Sequence, residues 1–400
     1  MSTIADENAA SSRTSAALAD LHLHSHFSDG TWSPTALVEH AVSKGMRYIA
    51  LSDHDTVEGL AEAEACLAQF NRQKPGSLGN SPEAFSNSPD LSKSPASISN
   101  SPEAFSNSPD LCKSPASISN SQDSLNNSPE ALGKSPVSIL ASGALSAASG
   151  RVLPKLIPAV EVNTVYIDKQ GQRQDVHILG YFPDLHNSAL HELLERQKAA
   201  RFRQLEETIA LINASLRNSG GGLALHGAVG LQDVLAVSGP AAPGKAHLTE
   251  ALVRLGLAKD LMDAYERFTS SKSPCYVYRQ SVSPFEALEA LQKAGALTSI
   301  AHPGQGAYMK ELLPELVAAG LAGIEAYHRV HDESLVLYYE NYADAQGLLV
   351  TGGSDCHGPY LDKESGTFYP STMGAIKLPE ERLKRFLASS PIGYCETLSI

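Results

Sequence analysis

Two kinds of hydrophobic spacing alternate near the start of the chain. Residues 48–52 form a short apolar run, which is typical of a buried strand. Before this run, apolar residues recur at helical spacing behind Ser33, a suitable cap with Pro34 at the first helical position, and Gly45 provides a stop. The spacing predicts a strand–helix–strand unit, and hence parallel strands joined by a right-handed crossover. A second helix is predicted from about residue 57 to residue 70.

The same alternation of strands and helices returns in later parts of the chain. Further apolar runs occur at residues 156–162, 175–181, 297–301, 323–327 and 348–354. Helices are predicted between the last three of these runs. Since strands that alternate with helices usually pair in parallel, the pattern favours an α/β fold with a parallel barrel, whose strands end at one face.

A long helical stretch separates two of these strand regions. Between about residues 191 and 294, apolar residues follow a helical period among many charged ones, without strand-like alternation. We interpret this stretch as a helical subdomain inserted into the α/β domain.

A tandem repeat interrupts the barrel pattern. Residues 81–100 recur at 101–120 with one change, Ser92 to Cys112, and a degenerate third copy covers 121–140. The copies are rich in Ser, Pro and Asn and poor in large apolar residues, so they cannot bury a core that offsets chain entropy. We therefore predict a disordered insertion rather than a solenoid. A partner-binding role for the repeats stays open as the alternative.

These patterns divide the chain into six segments. They are a disordered tail at 1–18, barrel segments at 19–71, 151–190 and 295–400, the repeat insertion at 72–150, and a helical, substrate-side subdomain at 191–294. The tail is polar and lacks the apolar stretch of a signal peptide, which indicates a cytoplasmic protein.

Charge and cysteine usage narrow the class of function. The formal net charge of −13 argues against a stable complex with duplex nucleic acid, which would need a basic stripe. The chain has no apolar run long enough to span a membrane, so a membrane partner is not expected. The five cysteines are scattered without a CxxC pair, which argues against a thiolate zinc site.

Histidines and carboxylates stand at or near the ends of the predicted strands. His22 and His24 are two residues apart and share a face of a strand, and Asp29 at a glycine turn can approach the same point. The full set of candidates is His22, His24, Asp29, His54, Glu161, His177, His302, Asp355 and His357. These ligands are too many for one ion, but they fit two or three ions with a bridging carboxylate.

The types of donor in this set predict its chemistry. Imidazoles and carboxylates without thiolates suit Mn²⁺, Fe²⁺ or Zn²⁺, and the residues do not choose among them. A multinuclear site of this kind can clamp phosphate oxygens and hydrolyse phosphate esters. Each motif alone also has a plain structural interpretation: a surface histidine pair, a helix cap at Asp53 or Asp55, or a strand-ending turn. Their joint occurrence in one α/β chain favours the metal site.

The same residues lie in motifs that match a known family. The motifs are Asp-Leu-His-Leu-His-Ser at 20–25, Ser-Asp-Gly at 28–30, Ser-Asp-His-Asp at 52–55, Glu161, His177, Ala-His-Pro at 301–303 and Ser-Asp-Cys-His-Gly at 354–358. In these motifs the chain resembles the PHP (polymerase and histidinol phosphatase) superfamily of metal-dependent phosphoesterases. The resemblance implies a distorted (β/α)7, TIM-like barrel with a trinuclear site on the nine candidates, Mn²⁺ being the first choice of metal. It also implies hydrolysis through a metal-bridged hydroxide, with Asp29, His54 and His302 in proton transfer or positioning.

A second set of residues resembles one branch of that superfamily. The features are an arginine-rich helix around residues 196–203 and the run Gly-Lys-Ala-His at 244–247, which opens a helix. The branch comprises stand-alone bacterial enzymes that remove the 3′-phosphate of nucleoside 3′,5′-bisphosphates and trim short RNA from its 5′ end. The implied substrate contacts are Arg201, Arg203, Lys245 and His247, and the position after a strand end adds His328 and Arg329. The expected partner is therefore a small phosphorylated nucleotide or a short RNA end.

Two other functions remain open on the sequence. A histidinol-phosphate phosphatase would share the metal site, but its cationic substrate with one phosphate would not need the anion site at Lys245 and Arg203. A metal-stabilised interaction module would instead use the repeat loop to recruit partners.

Overall fold

The computed structural model describes residues 19–72, 153–218, 227–239, 242–361 and 368–391. The predicted tail and all but the first residue of the predicted repeat insertion lie outside these ranges, so their disorder stays a prediction.

A sheet of seven strands, neighbouring in chain order from β1 to β7, forms the centre of the fold. The strands are β1 Ala19–Leu23, β2 Tyr48–Leu51, β3 Lys155–Ile167, β4 Arg173–Tyr181, β5 Leu297–Ile300, β6 Gly323–Tyr327 and β7 Leu349–Gly352. The sheet nearly closes where a bridge joins Leu23 to Cys356 and the backbone N–H of His24 donates to the Cys356 carbonyl at 3.0 Å. This arrangement confirms the predicted distorted seven-stranded α/β barrel.

One strand direction was predicted wrongly. β4 runs antiparallel to both of its neighbours, β3 and β5, whereas a fully parallel barrel was expected. The cause is the short connection after β3, in which Asp168 Oδ1 accepts hydrogen bonds from the N–H groups of Gln170 and Gln172, and Gly171 takes a φ of 75°. So short a turn joins antiparallel strands, because a parallel crossover needs a dozen residues or more. His177 therefore lies in the middle of β4 rather than near a carboxyl end.

Local sequence signals explain the first helix. Ser33 Oγ accepts a hydrogen bond from the N–H of Ala36, Pro34 opens the helix, and Gly45 ends it with a φ of 69°.

Around the sheet lie α1 Pro34–Lys44, α2 Leu60–Arg72, α7 Pro284–Lys293, α8 Met309–Ala318, α9 Glu333–Gln346 and α10 Glu380–Ala388. A two-stranded hairpin, β8 Tyr360–Leu361 and β9 Phe368–Tyr369, precedes α10.

The helical stretch after β4 has an apolar core of its own. It comprises α3 Ser188–Asn218, α4 Leu231–Ser238, α5 Lys245–Arg254, α6 Leu261–Ala264 and a π-helical turn, Tyr265–Thr269. Leu190 and Leu193 in the first half of α3 pack in the barrel core, while Leu205 and Ile212 in its second half pack with Phe268 in the helical core. α3 thus connects the two cores, and the boundaries 191–294 of a separate subdomain stay a prediction. Within the described parts of the chain, none of the helices combines the length and hydropathy that crossing a membrane requires.

Candidate metal centre

Glu161 is the centre of a buried cluster at the barrel mouth. Its side chain is fully buried and carries a carboxylate whose two oxygens each face imidazole nitrogens. Five of these nitrogens lie 2.9–3.2 Å from Glu161 oxygens, on His22, His24, His54, His177 and His302. Strands β1, β3 and β4 and the loops after β1, β2 and β5 supply these residues, so the barrel itself assembles the cluster.

Two aspartates extend the cluster toward solvent. Asp355 Oδ1 lies 3.2 Å from His24 Nε2 and 3.6 Å from His22 Nε2. Asp29 Oδ1 lies 3.0 Å from His357 Nε2, and this aspartate is 45 % exposed. All nine candidates from the sequence therefore meet at one mouth, with Asp29 and His357 on its outer side.

The backbone at the strand ends is shaped to aim these side chains inward. His302 and Asp355 take positive φ values of 26° and 50°, which cost about 1–3 kcal/mol each and occur mainly at functional sites. Gly353 lies so close to β1 that a Cβ there would clash with His22. Buried Asp20 accepts hydrogen bonds from the N–H and Oγ of Ser354, at 2.8 and 2.7 Å. These bonds fix the backbone immediately before Asp355.

The donor set fits divalent cations. Among the described residues, His24 Nε2 and His54 Nδ1 are buried without a hydrogen-bond partner, although each lies 3.0–3.1 Å from Glu161 Oε2. Buried nitrogens are rarely left unpaired in proteins, and a cation shared with the carboxylate would satisfy both. The donor atoms fall into overlapping groups of three or four, within 4.8 Å of one another, which could each hold an ion.

Opposing charges stabilise the cluster when no cation is bound. Burial alone would raise the pKa of Glu161, but the neighbouring His22, His54 and His177 outweigh it and hold this pKa well below its usual range. Burial would lower the pKa of His24, but the carboxylates of Asp355 and Glu161 beside its Nε2 raise it to about 10. The pKa of His54 falls to about 3, chiefly through burial. Protons and cations would therefore compete for the same nitrogens.

Glu325 is a further member of the cluster that the sequence analysis missed. It lies in the middle of β6, is fully buried, and faces His22 Nδ1 with both oxygens, at 3.0 and 3.1 Å. It also accepts a hydrogen bond from the N–H of His302 at 2.9 Å. The signal that could have revealed it is a single carboxylate within an otherwise apolar strand, because such a group needs a buried partner.

A cavity of about 420 Å³ opens beside the cluster. Asp29, His54 and His177 line it from the barrel, and the predicted substrate contacts Lys245 and His247 line it from α5. The N–H of Ala242, which also lines the cavity, donates to the Phe27 carbonyl at 3.2 Å and so ties the helical segment to the loop before Asp29. The cavity thus joins the candidate metal centre to the segment where substrate contacts were predicted.

The other predicted substrate contacts differ in position. Arg201 lines the cavity and pairs with buried Asp55, with 2.7 Å between Nη2 and Oδ2. Arg203 is exposed and is absent from the cavity wall; it lies with Arg196 on another surface. His328 is buried, with Nε2 3.5 Å from Asp355 Oδ2, whereas Arg329 is half exposed at 3.7 Å from the same oxygen.

Two further arginines in the cavity wall had no signal in the sequence motifs. Arg173 opens β4, and Arg279 lies in the irregular segment before α7, with Nη1 3.1 Å from Asp55 Oδ2. Asp55 therefore holds Arg201 and Arg279 side by side. Because this pairing joins residues more than 140 positions apart, only the folded chain shows it.

The chain is similar in sequence to several known proteins. A model of the PHP domain matches residues 20–75. The chain is 24 % identical to a 3′,5′-nucleoside bisphosphate phosphatase of Chromobacterium violaceum, over 85 % of this chain and 87 % of that protein. It is also 24 % identical to a 5′-3′ exoribonuclease of Haemophilus influenzae, over 85 % of this chain and 90 % of the relative.

Solved structures show the same fold. A Bifidobacterium adolescentis protein described as a metal-dependent phosphoesterase superposes with a TM-score of 0.59 at 23 % identity, covering 93 % of this chain and 96 % of its own. The barrel, the cluster at its mouth and the matched motifs agree with one another. The chain thus matches the PHP domain at residues 20–75 and shares the fold of a protein described as a metal-dependent phosphoesterase.

Proposed function

We propose that this chain hydrolyses phosphate esters of small nucleotides, removing the 3′-phosphate of nucleoside 3′,5′-bisphosphates. The observation that carries the proposal is the shared cavity, in which the cluster of candidate metal ligands faces a wall that contains arginines and a lysine. The relatives named as a nucleoside bisphosphate phosphatase and as an exoribonuclease support a nucleotide substrate.

The nine predicted residues, His22, His24, Asp29, His54, Glu161, His177, His302, Asp355 and His357, would hold two or three divalent ions. Mn²⁺ is our first candidate, with Fe²⁺ or Zn²⁺ as alternatives. When bound, such ions neutralise phosphate charge and lower the pKa of water. Glu161 would serve more than one ion, because each of its oxygens faces a different set of imidazoles.

The cations of the cavity wall would orient the substrate. Arg201 and Arg279 are pre-positioned by Asp55, so their guanidinium groups are ordered before a substrate arrives. Lys245 and His247 lie at the start of α5, where a helix N-terminus also favours anions. These groups would bind the phosphate that is not cleaved, while the cleaved phosphate faces the cluster.

Groups of the chain near the cluster would position and transfer protons. Asp29 has a pKa below its usual range, because His54 and His357 outweigh the effect of burial, so it stays an acceptor. Burial would lower the pKa of His302, but the carboxylates of Glu161 and Glu325 together raise it, which favours holding a proton. Asp29 and His302, with His54, are therefore the proposed proton-transfer or positioning groups. His328 and Arg329 would contact the substrate beside Asp355.

The charge of the cavity wall discriminates between the candidate substrates. Four permanent cations line it, Arg173, Arg201, Lys245 and Arg279, against Asp29 and Asp175 in the wall and Asp55 behind Arg201 and Arg279, which leaves one net positive charge. A second phosphate would be attracted to this wall, whereas the ammonium group of histidinol phosphate would be repelled. A short RNA end also carries several phosphates, so 5′-to-3′ trimming of short RNA stays a second candidate activity, supported by the relative's name.

A panel of phosphate esters tests the proposal. Purified, manganese-loaded protein would be given adenosine 3′,5′-bisphosphate, AMP, histidinol phosphate and a short 5′-phosphorylated RNA, and released products would be measured. We expect the highest kcat/KM for the bisphosphate. A preference for histidinol phosphate would instead identify the alternative phosphatase, and no turnover of any ester would favour the interaction module.

A further inference from the structure

Two tyrosines line the cavity without a role in the proposed hydrolysis. Tyr276 and Tyr278 share its wall with Asp29, His54 and His177. Their rings meet edge to face, with 4.9 Å between centroids and 87° between planes. Tyr278 is 55 % exposed, so a large aromatic surface faces water beside the candidate metal centre.

The segment that carries the tyrosines is fixed from both sides. Gln204 Nε2 of α3 donates to the carbonyl of Val277 at 2.7 Å, and Arg173 Nη2 of β4 donates to the carbonyl of Arg279 at 2.8 Å. Cys275, at the start of the segment, is buried in the helical core. Tyr278 is therefore presented on an anchored backbone, and little chain entropy would be lost if a ligand packed on its ring.

A positive charge accompanies each ring. The Lys245 Nζ lies 5.1 Å from the centroid of the Tyr276 ring, and the Arg173 guanidinium lies 5.1 Å from that of Tyr278. The wall thus combines flat apolar surface with cations, next to a centre suited to phosphate. The complementary ligand has a planar ring system and negative charge in one molecule, which is the description of a nucleotide. Aromatic and guanidinium faces are the surfaces on which nucleobases stack in proteins.

We propose that Tyr276 and Tyr278 form a nucleobase subsite, with Tyr278 as the stacking platform. The inference rests on the proposed function, to which it adds recognition of the base. Since every nucleobase has a flat face, stacking here would accept purines and pyrimidines alike and would act on affinity rather than on the chemical step. The bisphosphate would then be held at three points: the cluster, the cations and the tyrosine pair.

The test compares two substrates that differ only in the base. Steady-state kinetics would be measured on adenosine 3′,5′-bisphosphate and on 1-deoxyribose 3,5-bisphosphate, which has the same phosphates and no base. Tyr278→Ala is expected to raise the KM for the nucleotide roughly five- to a hundredfold, leaving kcat and the KM for the abasic substrate unchanged. Tyr278→Phe should behave like the unaltered protein. Tyr338→Ala, an exposed tyrosine of α9 outside the cavity wall, is the matched control and should change neither KM.

Two results would overturn the subsite: an unchanged ratio of the two KM values in Tyr278→Ala, or a loss in Tyr278→Phe as large as that in Tyr278→Ala. Failure of the proposed function is a separate outcome, namely no phosphate release from either substrate by the unaltered protein. In that case calorimetric affinities of the same proteins for the two compounds decide the question. Preferential binding of the nucleotide that Tyr278→Ala abolishes supports the subsite, and equal affinities contradict it.

Discussion

The imidazole of His22 faces Glu325 with one nitrogen and Glu161 with the other. Nδ1 lies 3.0 Å from Glu325 Oε1, and Nε2 lies 3.0 Å from Glu161 Oε2. Donation of the Nδ1 proton to Glu325 would fix the tautomer that leaves the Nε2 lone pair toward the cluster. Histidine ligands of metals commonly depend on such a partner for orientation and basicity.

Replacing Glu325 should therefore weaken metal binding. We expect Glu325→Gln to lower the affinity for Mn²⁺ by about 10- to 100-fold, because a neutral amide no longer favours the Nδ1–H tautomer. The affinity would be measured by titration calorimetry of metal-free protein. Glu315→Gln, an exposed glutamate of α8, is the control and should not change the affinity. Equal affinities in both variants would show that Glu325 does not support His22.

The pairing of Asp55 with two arginines predicts a loss of stability on substitution. Asp55 is 3 % exposed and contacts Arg201 and Arg279, so Asp55→Asn leaves two largely buried guanidinium groups without their counter-charge. We expect the free energy of unfolding to fall by about 3–5 kcal/mol, measured by urea denaturation.

An exposed ion pair provides the control for that experiment. Glu250 and Arg254 pair on the surface of α5, so Glu250→Gln should cost at most about 0.5 kcal/mol. If Asp55→Asn were no more destabilising than this control, the buried pairing would not order the cavity wall. The proposed pre-positioning of Arg201 and Arg279 for substrate binding would then also be unfounded.

Metal binding should release protons. Burial would lower the pKa of His24, but the carboxylates of Asp355 and Glu161 raise it to about 10, so near neutral pH the metal-free imidazole holds a proton that an ion must displace. The affinity for Mn²⁺ should therefore rise as the pH is raised toward that pKa and fall as it is lowered. Calorimetric titration in two buffers of different ionisation enthalpy measures the release. Identical apparent binding enthalpies in the two buffers would mean that metal binding displaces no proton from His24.

Deleting the repeats distinguishes the proposed enzymatic function from the alternative, an interaction module that uses the repeat loop. Removal of residues 81–140, which lie outside the described residues, is expected to leave kcat/KM for the bisphosphate nearly unchanged. The reason is that the insertion contributes none of the nine cluster residues. If the deletion variant still bound metal but lost turnover, the insertion would be required for catalysis.

The sequence predicted the cluster better than it predicted the cavity wall. His22 and His24 could be found because their spacing puts them on one face of a strand, and Asp355 because it follows an apolar run; both are local patterns that do not depend on the fold. The direction of β4 was missed because the turn at Asp168 was not weighed against the parallel pattern. Arg279 could not be found, since its role depends on Asp55, a contact that exists only after the helical segment has packed on the barrel.

Identification of the product tests the central claim most directly. Manganese-loaded protein would be incubated with adenosine 3′,5′-bisphosphate, and the nucleotide product would be resolved by chromatography, with His22→Ala as the control for the cluster. We predict adenosine 5′-monophosphate and one equivalent of inorganic phosphate, with turnover reduced at least about 100-fold in a folded His22→Ala. Release of adenosine 3′-monophosphate, or undiminished turnover in His22→Ala, would contradict the account.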